Sequence, residues 1–176
     1  MKTRSLVLAL LVAVSCAGGC SRRGPGGPWP GAPVVVVSVD TLRADRLPFY
    51  GFAGVETPAL TALRADAVLF ESAWTHVPLT LPAHATLFTG KLPGELGVRD
   101  NAGYVLPEGT PTLAALLKRA GYATGGAVSA YVLHGRTGIG RGFDLWEDAV
   151  EQKTMGQAMR QVPRPGPEPA ALLGGW

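Results

Sequence analysis

The chain has 176 residues, of which 47% are hydrophobic and 16% are charged, and its formal net charge is +3 at pH 7. This apolar content suffices for a buried core, and roughly 140 residues follow the N-terminal segments, which is enough for one domain. The basic residues are scattered and are not interleaved with aromatic ones, so we expect no nucleic-acid binding.

Residues 1–20 have the pattern of a secretory signal. Basic residues precede an apolar run, residues 6–15, which is shorter than the roughly 20 residues that a membrane-spanning helix needs. Small residues then lead to Cys20, and this arrangement resembles a bacterial lipoprotein signal in which the cysteine receives the lipid. Cys16 is the alternative lipidation site, and an unlipidated signal cleaved nearby is a third. We expect an exported protein of the bacterial cell envelope, anchored to the membrane on the periplasmic side or at the outer membrane.

The rest of the chain divides into three parts. Residues 21–33 are rich in Gly, Pro and Arg and predict a flexible tether. Residues 34–150 form the predicted domain, which contains no cysteine and therefore no disulfide. Residues 151–176 are predicted to contain most of a helix, which begins near Glu147 and ends by Gln161. A proline-rich tail follows, and neither a helix nor a central strand can run through it.

The domain alternates between strand-like and helix-like patterns. The predicted strands are 34–39, 68–74 and 123–132, and the predicted helices are 58–67 capped by Thr57, 81–89, and a third that Thr110-Pro111 opens and that ends at Arg119. Strands that alternate with helices predict an α/β fold with a mostly parallel sheet covered on both faces. The leucines expected in the core are Leu60, Leu63, Leu113, Leu116 and Leu117.

Two of these elements carry residues that suit a nucleophilic site. Asp40 directly follows the first predicted strand, and Thr80 lies before a helix that Pro82 would open. A threonine hydroxyl needs a base or a cation to become a nucleophile, and Asp40 could hold that cation. A helix N-terminus also favours an anion such as sulfate or phosphate, and His84 lies one turn further on. The alternative is that Thr80 caps the helix and His84 is a surface residue.

Short motifs in a fixed order extend through residues 33–150. They are Val39-Asp40-Thr41-Leu42-Arg43-Ala44-Asp45-Arg46-Leu47, Tyr50-Gly51, Thr57-Pro58-Ala59-Leu60, the segment 77–86 around Thr80, Thr89-Gly90, Leu92-Pro93, Gly97-Val98-Arg99-Asp100-Asn101 and Gly121-Tyr122-Ala123-Thr124. In these motifs the chain resembles the sulfatase family of the alkaline phosphatase superfamily.

The resemblance implies an alkaline-phosphatase-like three-layer α/β/α fold and an exported, metal-dependent hydrolase of small-molecule or glycan sulfate or phosphate esters. It makes Asp40 a metal ligand, and Thr80 both the catalytic nucleophile and a metal ligand. His84 falls where the family has an arginine that steadies the nucleophile, which implies a catalytic role. A substrate-binding loop is implied for Arg99, Asp100 and Asn101, for which an ordinary polar turn is the alternative.

Three departures from the family pattern bear on this prediction. Sulfatases carry Cys or Ser at the position of Thr80, which is oxidised to an aldehyde, whereas threonine would give a ketone. Thr80 would therefore attack directly, as in related phosphodiesterases and phosphoethanolamine transferases. Thr41 replaces a second acidic residue, and the residues at 128–129 replace a Gly-Lys pair. A threonine-dependent phosphoesterase or phosphotransferase is thus one alternative function, and an inactive lipoprotein remnant or binding scaffold is another.

Length is the largest departure. Family members are much longer and carry their remaining metal ligands downstream, so we expect a domain truncated after its N-terminal part, through an interrupted gene, a shifted frame or a fragment. A genuinely short relative is the alternative. The remaining acidic and imidazole side chains have no recognisable ligand spacing: His134, Asp144, Glu147 and Asp148. Residues 144–148, which follow Arg141-Gly142-Phe143, are predicted to form a loop. A divalent cation (Ca, Mg, Mn or Zn) is expected to bind only weakly, because catalytic sites usually supply three or more protein ligands.

Overall fold

The computed structural model describes residues 31–149. The chain forms two compact units, Met1–Val36 and Val37–Trp176. The described part of the first unit, residues 31–36, contains neither helix nor strand, and all the elements below belong to the second unit. The predicted signal with Cys16 and Cys20, most of the predicted tether and the proline-rich tail lie outside the described residues.

Helices make up most of the regular structure. Within residues 31–149 the α-helices are α1 (Pro58–Ala65), α2 (Thr80–Thr89), α3 (Pro93–Leu96) and α4 (Leu113–Arg119), and single 3-10 turns lie at Ala44–Arg46, Pro48–Tyr50, Tyr131–Leu133 and Gly135–Thr137. No helix within residues 31–149 has the length and apolar character needed to span a bilayer.

The helix boundaries follow from local chemistry. Helix α2 ends at Gly90, whose φ of 69° is the left-handed conformation that glycine adopts at little cost. Helix α4 begins two residues later than predicted because Thr112, and not Thr110, caps it; the Thr112 hydroxyl accepts the Ala115 N–H at 3.1 Å. The predicted helices 58–67 and 81–89 are confirmed to within two residues at each end.

The sheet consists of two parallel strands, β1 (Gly125–Ala127) and β2 (Leu145–Glu147). Gly125 is paired with Leu145 and Ala127 with Glu147. The predicted strand 123–132 is therefore correct only in its centre. Strand β2 lies where a loop was predicted at 144–148 and where a helix was predicted to begin at Glu147, so both predictions are wrong at these residues. The strand that pairs with β2 lies about 20 residues earlier, and the sequence near β2 therefore gives no indication of the pairing.

Two predicted strands, 34–39 and 68–74, are unpaired in the structure. Their side chains are largely exposed, with Val35 at 80% and Trp74 at 88%. A strand requires backbone hydrogen bonds to a neighbouring strand, and within residues 31–149 neither run forms a backbone–backbone hydrogen bond with a distant segment. Such unpaired apolar segments favour association between copies of a protein.

The core is small and lies between α2, α3, the segment 98–106 and the segment 133–139, which lies between β1 and β2. Its buried members are Leu81, Ala85, Leu96, Val98, Leu106, Leu133 and Ile139. Of the leucines predicted for the core, Leu113 and Leu117 are half-buried, whereas Leu60, Leu63 and Leu116 are exposed and were predicted wrongly. Helix α1 has an apolar stripe, but among the described residues no element covers it.

Asp144 links the beginning of β2 to the segment before β1. Its Oδ2 accepts the Thr124 N–H and the Thr124 hydroxyl, each at 3.0 Å, and it forms an ion pair with Lys118 of α4. The Lys118 hydrogen bond, followed by those of Thr124, lowers the pKa of the Asp144 carboxyl. A carboxylate whose pKa is lowered on folding stabilises the fold above its unfolded pKa, and this stabilisation is lost as the pH falls through the lower folded value.

Replacing Asp144 by Asn is therefore expected to lower the melting temperature at neutral pH and to flatten its decline in acid, below a pH of about 4. Melting curves of both proteins between neutral and strongly acidic pH provide the measurement. A variant that keeps the full acid-dependent decline would show that other carboxylates cause it.

Candidate functional site

Asp40 projects from a sharp turn. The turn is closed by the Leu42 N–H, which donates to the Val39 carbonyl at 3.4 Å, and Thr41 within it has a φ of +58°. This left-handed conformation is unfavourable for a β-branched residue, and such strain is concentrated at functional sites in proteins. The turn leaves the Asp40 carboxylate exposed at the end of the extended segment 37–40.

Thr80 is the first residue of α2, and its hydroxyl contacts Asp40. The Thr80 Oγ1 lies 3.3 Å from Oδ1 and 3.4 Å from Oδ2 of Asp40, so the hydroxyl proton is shared between the two carboxylate oxygens. The N-cap position belongs to Leu79, and the Thr80 side chain does not cap the helix. Pro82 occupies the third helical position and not the predicted first position. Its missing N–H would have had no intrahelical partner at either position, because the first four N–H groups of a helix have none.

Asn101 lies at the same helix end. Its side-chain Oδ1 accepts the Leu81 N–H at 2.8 Å and so satisfies one of the free donors in the first turn of α2. The Asn101 N–H in turn donates to the Asp100 Oδ1 at 2.6 Å. Arg99, the first residue of this predicted substrate loop, is exposed. The structure therefore places the Asn101 side chain against the Leu81 N–H, directly after Thr80. Asp100 and Arg99, the charged residues of the loop, lie one and two residues before Asn101 in sequence.

His84 is half-buried one turn into α2, and both of its ring nitrogens have partners. Nδ1 lies 2.8 Å from the Thr80 carbonyl, and Nε2 lies 3.0 Å from the Ser38 hydroxyl. The ring also packs beside Phe88, with 6.4 Å between the ring centroids. His84 thus touches the backbone of Thr80, while the Thr80 hydroxyl points to Asp40. His84 therefore lies beside the predicted nucleophile and contacts its peptide group, and the catalytic role of His84 stays a prediction.

Ser38 is the residue of this cluster that sequence reasoning missed. In extended chain, residues two apart project to the same side, so the spacing of Ser38 and Asp40 was the available signal. Four side chains therefore converge from two segments far apart in sequence: Ser38, Asp40, Thr80 and His84.

The donor set suits a hard cation in its chemistry and is too small to hold one alone. Asp40 and Thr80 provide oxygen ligands, which Mg²⁺ and Ca²⁺ prefer. Within residues 31–149, however, no three His, Cys, Asp or Glu side chains are grouped as a metal site would require. His134 and Asp148 are instead 3.3 Å apart and hold the turn at Gly135, whose N–H donates to Asp148 at 2.6 Å. These residues do not by themselves form a metal centre.

A second charged pair lies close to Asp40 in sequence. Arg43 donates to Asp45 through Nε at 2.8 Å and through Nη2 at 2.6 Å, and this bidentate contact lowers the pKa of the Asp45 carboxyl. The same contact raises the pKa of the Arg43 guanidinium. Asp45 is therefore neutralised by Arg43, whereas Asp40 has the Thr80 hydroxyl as its hydrogen-bond donor.

Comparisons with known proteins cover this region. The model of the sulfatase family matches residues 33–161. The chain is 34% identical over 123 residues to an ulvan-active sulfatase of Formosa agariphila, covering 65% of this chain and 23% of that protein. It is 37% identical over 81 residues to arylsulfatase K of Canis lupus familiaris, covering 46% and 15%. An N-acetylgalactosamine-6-O-sulfatase of Bacteroides thetaiotaomicron is 29% identical over 134 residues, covering 71% and 26%.

A solved structure, described as a 2-O GAG sulfatase, is similar in fold, with a TM-score of 0.51 and 26% identity over 62% of this chain and 23% of that one. With the parallel strand pair and its helices, this likeness confirms the predicted α/β fold of the alkaline phosphatase type. The chain spans between 15% and 26% of the length of the relatives described above. Because the family model covers most of the chain, the protein belongs to the sulfatase family.

Proposed function

We propose that this chain supplies the nucleophile part of an ester hydrolase that acts on sulfate or phosphate esters, with Thr80 as the attacking residue. The observation that supports this proposal is the contact of the Thr80 hydroxyl with both oxygens of Asp40 at the N-terminus of α2. The positive end of the helix dipole favours an anion, which is the form of both ester classes at neutral pH. In the first turn of α2 the Leu81 N–H is bonded to Asn101 and Pro82 has no N–H, so the Thr80 N–H is the donor nearest the attacking oxygen.

The reaction uses groups that are already adjacent. Thr80 Oγ1 attacks the sulfur or phosphorus atom in line with the ester oxygen, and its proton passes to Asp40. The alcohol departs on the opposite side and takes a proton from a solvent water. The hydroxide left by that water hydrolyses the threonine ester and releases sulfate or phosphate, and Asp40 returns its proton to the Thr80 oxygen. The contacts of 3.3 and 3.4 Å are long for such a pair, but contacts in a free enzyme commonly shorten when the substrate binds.

The substrate class follows from the relatives. Their names describe sulfatases active on ulvan, on N-acetylgalactosamine 6-sulfate groups and on choline sulfate. We propose a sulfated glycan or a small sulfate ester as the substrate. Phosphate esters form the second class, because Thr80 is an unmodified secondary alcohol that must attack directly, which suits a phosphoesterase or phosphotransferase.

Paired assays on an aryl sulfate and an aryl phosphate test these alternatives. We expect turnover of the sulfate ester, with Thr80→Ala as the inactive control. Turnover of phosphate alone would favour the phosphoesterase. A failure to turn over either ester, with no adduct on Thr80 by peptide mass spectrometry, would favour a third function, a binding scaffold, for which the small donor set among residues 31–149 is the supporting observation.

Replacing Asp40 by Asn is expected to slow turnover by a factor on the order of 10²–10⁴, the usual contribution of a general base. The change keeps the size of the side chain and removes its capacity to take the Thr80 proton. Asp45→Asn is the matched control, because Asp45 is exposed and paired with Arg43; its kcat should stay within about twofold of the wild-type value. Equal losses in both variants would contradict the role of Asp40.

We further propose that the complete site binds a divalent cation, with Asp40 and Thr80 as two of its ligands and the others supplied from outside residues 31–149. Calorimetric titration with Ca²⁺, Mg²⁺, Mn²⁺ and Zn²⁺ tests this, and any binding heat should disappear in Asp40→Asn. Export and a lipid anchor at Cys20, or at Cys16, are also part of the proposal. The mass of the mature N-terminal peptide from membrane fractions tests both cysteines.

A further inference from the structure

Ser38 lies outside every role considered so far, and the hydrogen bonds of the site give it one. The extended segment 37–40 contacts α2 at two points. Asp40 receives the Thr80 hydroxyl, and Ser38 meets Nε2 of His84 at 3.0 Å. Within residues 31–149, no further hydrogen bond joins this segment to α2.

The two contacts are made in a regular order. His84 and Thr80 are four residues apart in α2, and residues with this separation share one face of a helix. Ser38 and Asp40 are two residues apart and meet that face in the opposite chain direction, Ser38 at His84 and Asp40 at Thr80. The Ser38 contact holds the segment parallel to the helix and so sets the distance between Asp40 and Thr80.

The partners of His84 also define its proton arrangement. A carbonyl oxygen only accepts hydrogen bonds, so Nδ1, at 2.8 Å from the Thr80 carbonyl, must carry a proton. In the neutral ring Nε2 is then an acceptor, and the Ser38 hydroxyl is its donor. The ring is also packed on a row of aromatic side chains, since Phe88 is 6.0 Å from Phe143 between ring centroids. The imidazole is thus held by a hydroxyl, a peptide carbonyl and an aromatic ring.

We propose that Ser38 is a positioning residue of this site, whose hydroxyl donates to Nε2 of His84 and through this ring keeps Asp40 within reach of the Thr80 hydroxyl. The role of Asp40 and Thr80 in ester hydrolysis rests on the proposed function. The arrangement of the His84 ring does not, because it depends only on the contacts of the ring with Ser38, with the Thr80 carbonyl and with Phe88.

Two replacements of Ser38 that are isosteric with each other provide the test in the full-length chain. Ser38→Thr keeps the hydroxyl and Ser38→Val replaces it with a methyl group of the same shape, and both β-branched residues suit a segment already rich in valine. Ser72→Ala, which removes an exposed hydroxyl elsewhere, is the control. The chain has three histidines, so the His84 signals in a ¹⁵N–¹H spectrum can be assigned with a His84→Gln variant.

At a pH that keeps the imidazoles neutral, the wild-type and Ser38→Thr proteins should both show a protonated Nδ1 and an unprotonated Nε2. In Ser38→Val the Nδ1 proton should remain, because the Thr80 carbonyl still accepts it, whereas the Nε2 shift should move toward that of an acceptor nitrogen without a hydrogen-bond donor. Where the protein turns over an ester, kcat should fall by about 10²-fold in Ser38→Val with KM nearly unchanged, and Ser38→Thr should restore it. Identical ring spectra for Ser38→Val and Ser38→Thr would overturn the proposal, whether or not the protein is an active hydrolase.

Discussion

Replacing Thr80 by valine is expected to reduce ester hydrolysis by at least about 10³-fold, because the change removes the attacking oxygen and keeps the volume and branching of the side chain. Thr80 makes a long hydrogen bond to Asp40 and does not cap α2, so the helix should form equally well without the hydroxyl. Initial rates and circular dichroism of the same samples separate a lost nucleophile from a lost fold. Thr80→Ser keeps the hydroxyl that attacks the ester, so this variant should retain measurable turnover.

Thr86→Val is the matched control for this prediction. Thr86 lies on the same helix, and its hydroxyl is buried with no hydrogen-bond partner among the described residues. Removing a buried polar group that has no partner is neutral or stabilising, so this variant should keep full activity and melt at the same or a higher temperature. If the two valine variants retained equal activity, Thr80 would not be the nucleophile.

Replacing Gly142 by alanine is expected to destabilise the fold by roughly 2–6 kcal/mol, the sum of backbone strain and overpacking. Gly142 has a φ of +93°, and an added Cβ would lie 2.5 Å from the Ala115 N in the first turn of α4. Backbone atoms cannot move aside as a flexible side chain can. The loss is comparable with the whole stability of many domains, so urea titration should show the variant unfolded at low denaturant or at none.

Two further glycines separate the two causes. Gly109 also has a positive φ, of +71°, but an added Cβ meets nothing within 4 Å, so Gly109→Ala should cost only the strain of about 1–2 kcal/mol. Gly94 lies in α3 with an ordinary φ and open space, and Gly94→Ala should be neutral or slightly stabilising. If Gly142→Ala cost no more than Gly109→Ala, the close approach to α4 would be unimportant.

Features governed by near neighbours in sequence were predicted well. Helix α2 was placed to within one residue, and its end follows from Gly90, which acts on the backbone beside it; Pro82, predicted to open the helix, lies at its third position. The motif that contains Asp40 and the motif that contains Thr80 were each recognised, and the structure brings the two side chains together over 40 residues of sequence. The family assignment followed from the order of such motifs and did not require the pairing of any strand.

Features that depend on distant partners were predicted poorly. The valine-rich run 34–39 has a strong preference for strand, but preference alone does not supply the hydrogen-bond partners of a sheet. Strand β2 was missed because its partner Gly125–Ala127 consists of small residues with little pattern of their own. Ser38 was overlooked for the same reason, since a serine inside an apolar run acquires meaning only when His84 is placed opposite.

The exposed valines and aromatic side chains of the unpaired runs also affect how the stability of this chain depends on temperature. Apolar surface that remains hydrated in the folded protein is not newly hydrated when the protein unfolds, and such hydration is the main source of the heat-capacity increase. For this chain the increase per residue should fall below the usual value of about 12–15 cal/mol/K. Its stability curve is then broad and shallow, so cooling changes its stability less than it does for a domain with a fully covered sheet.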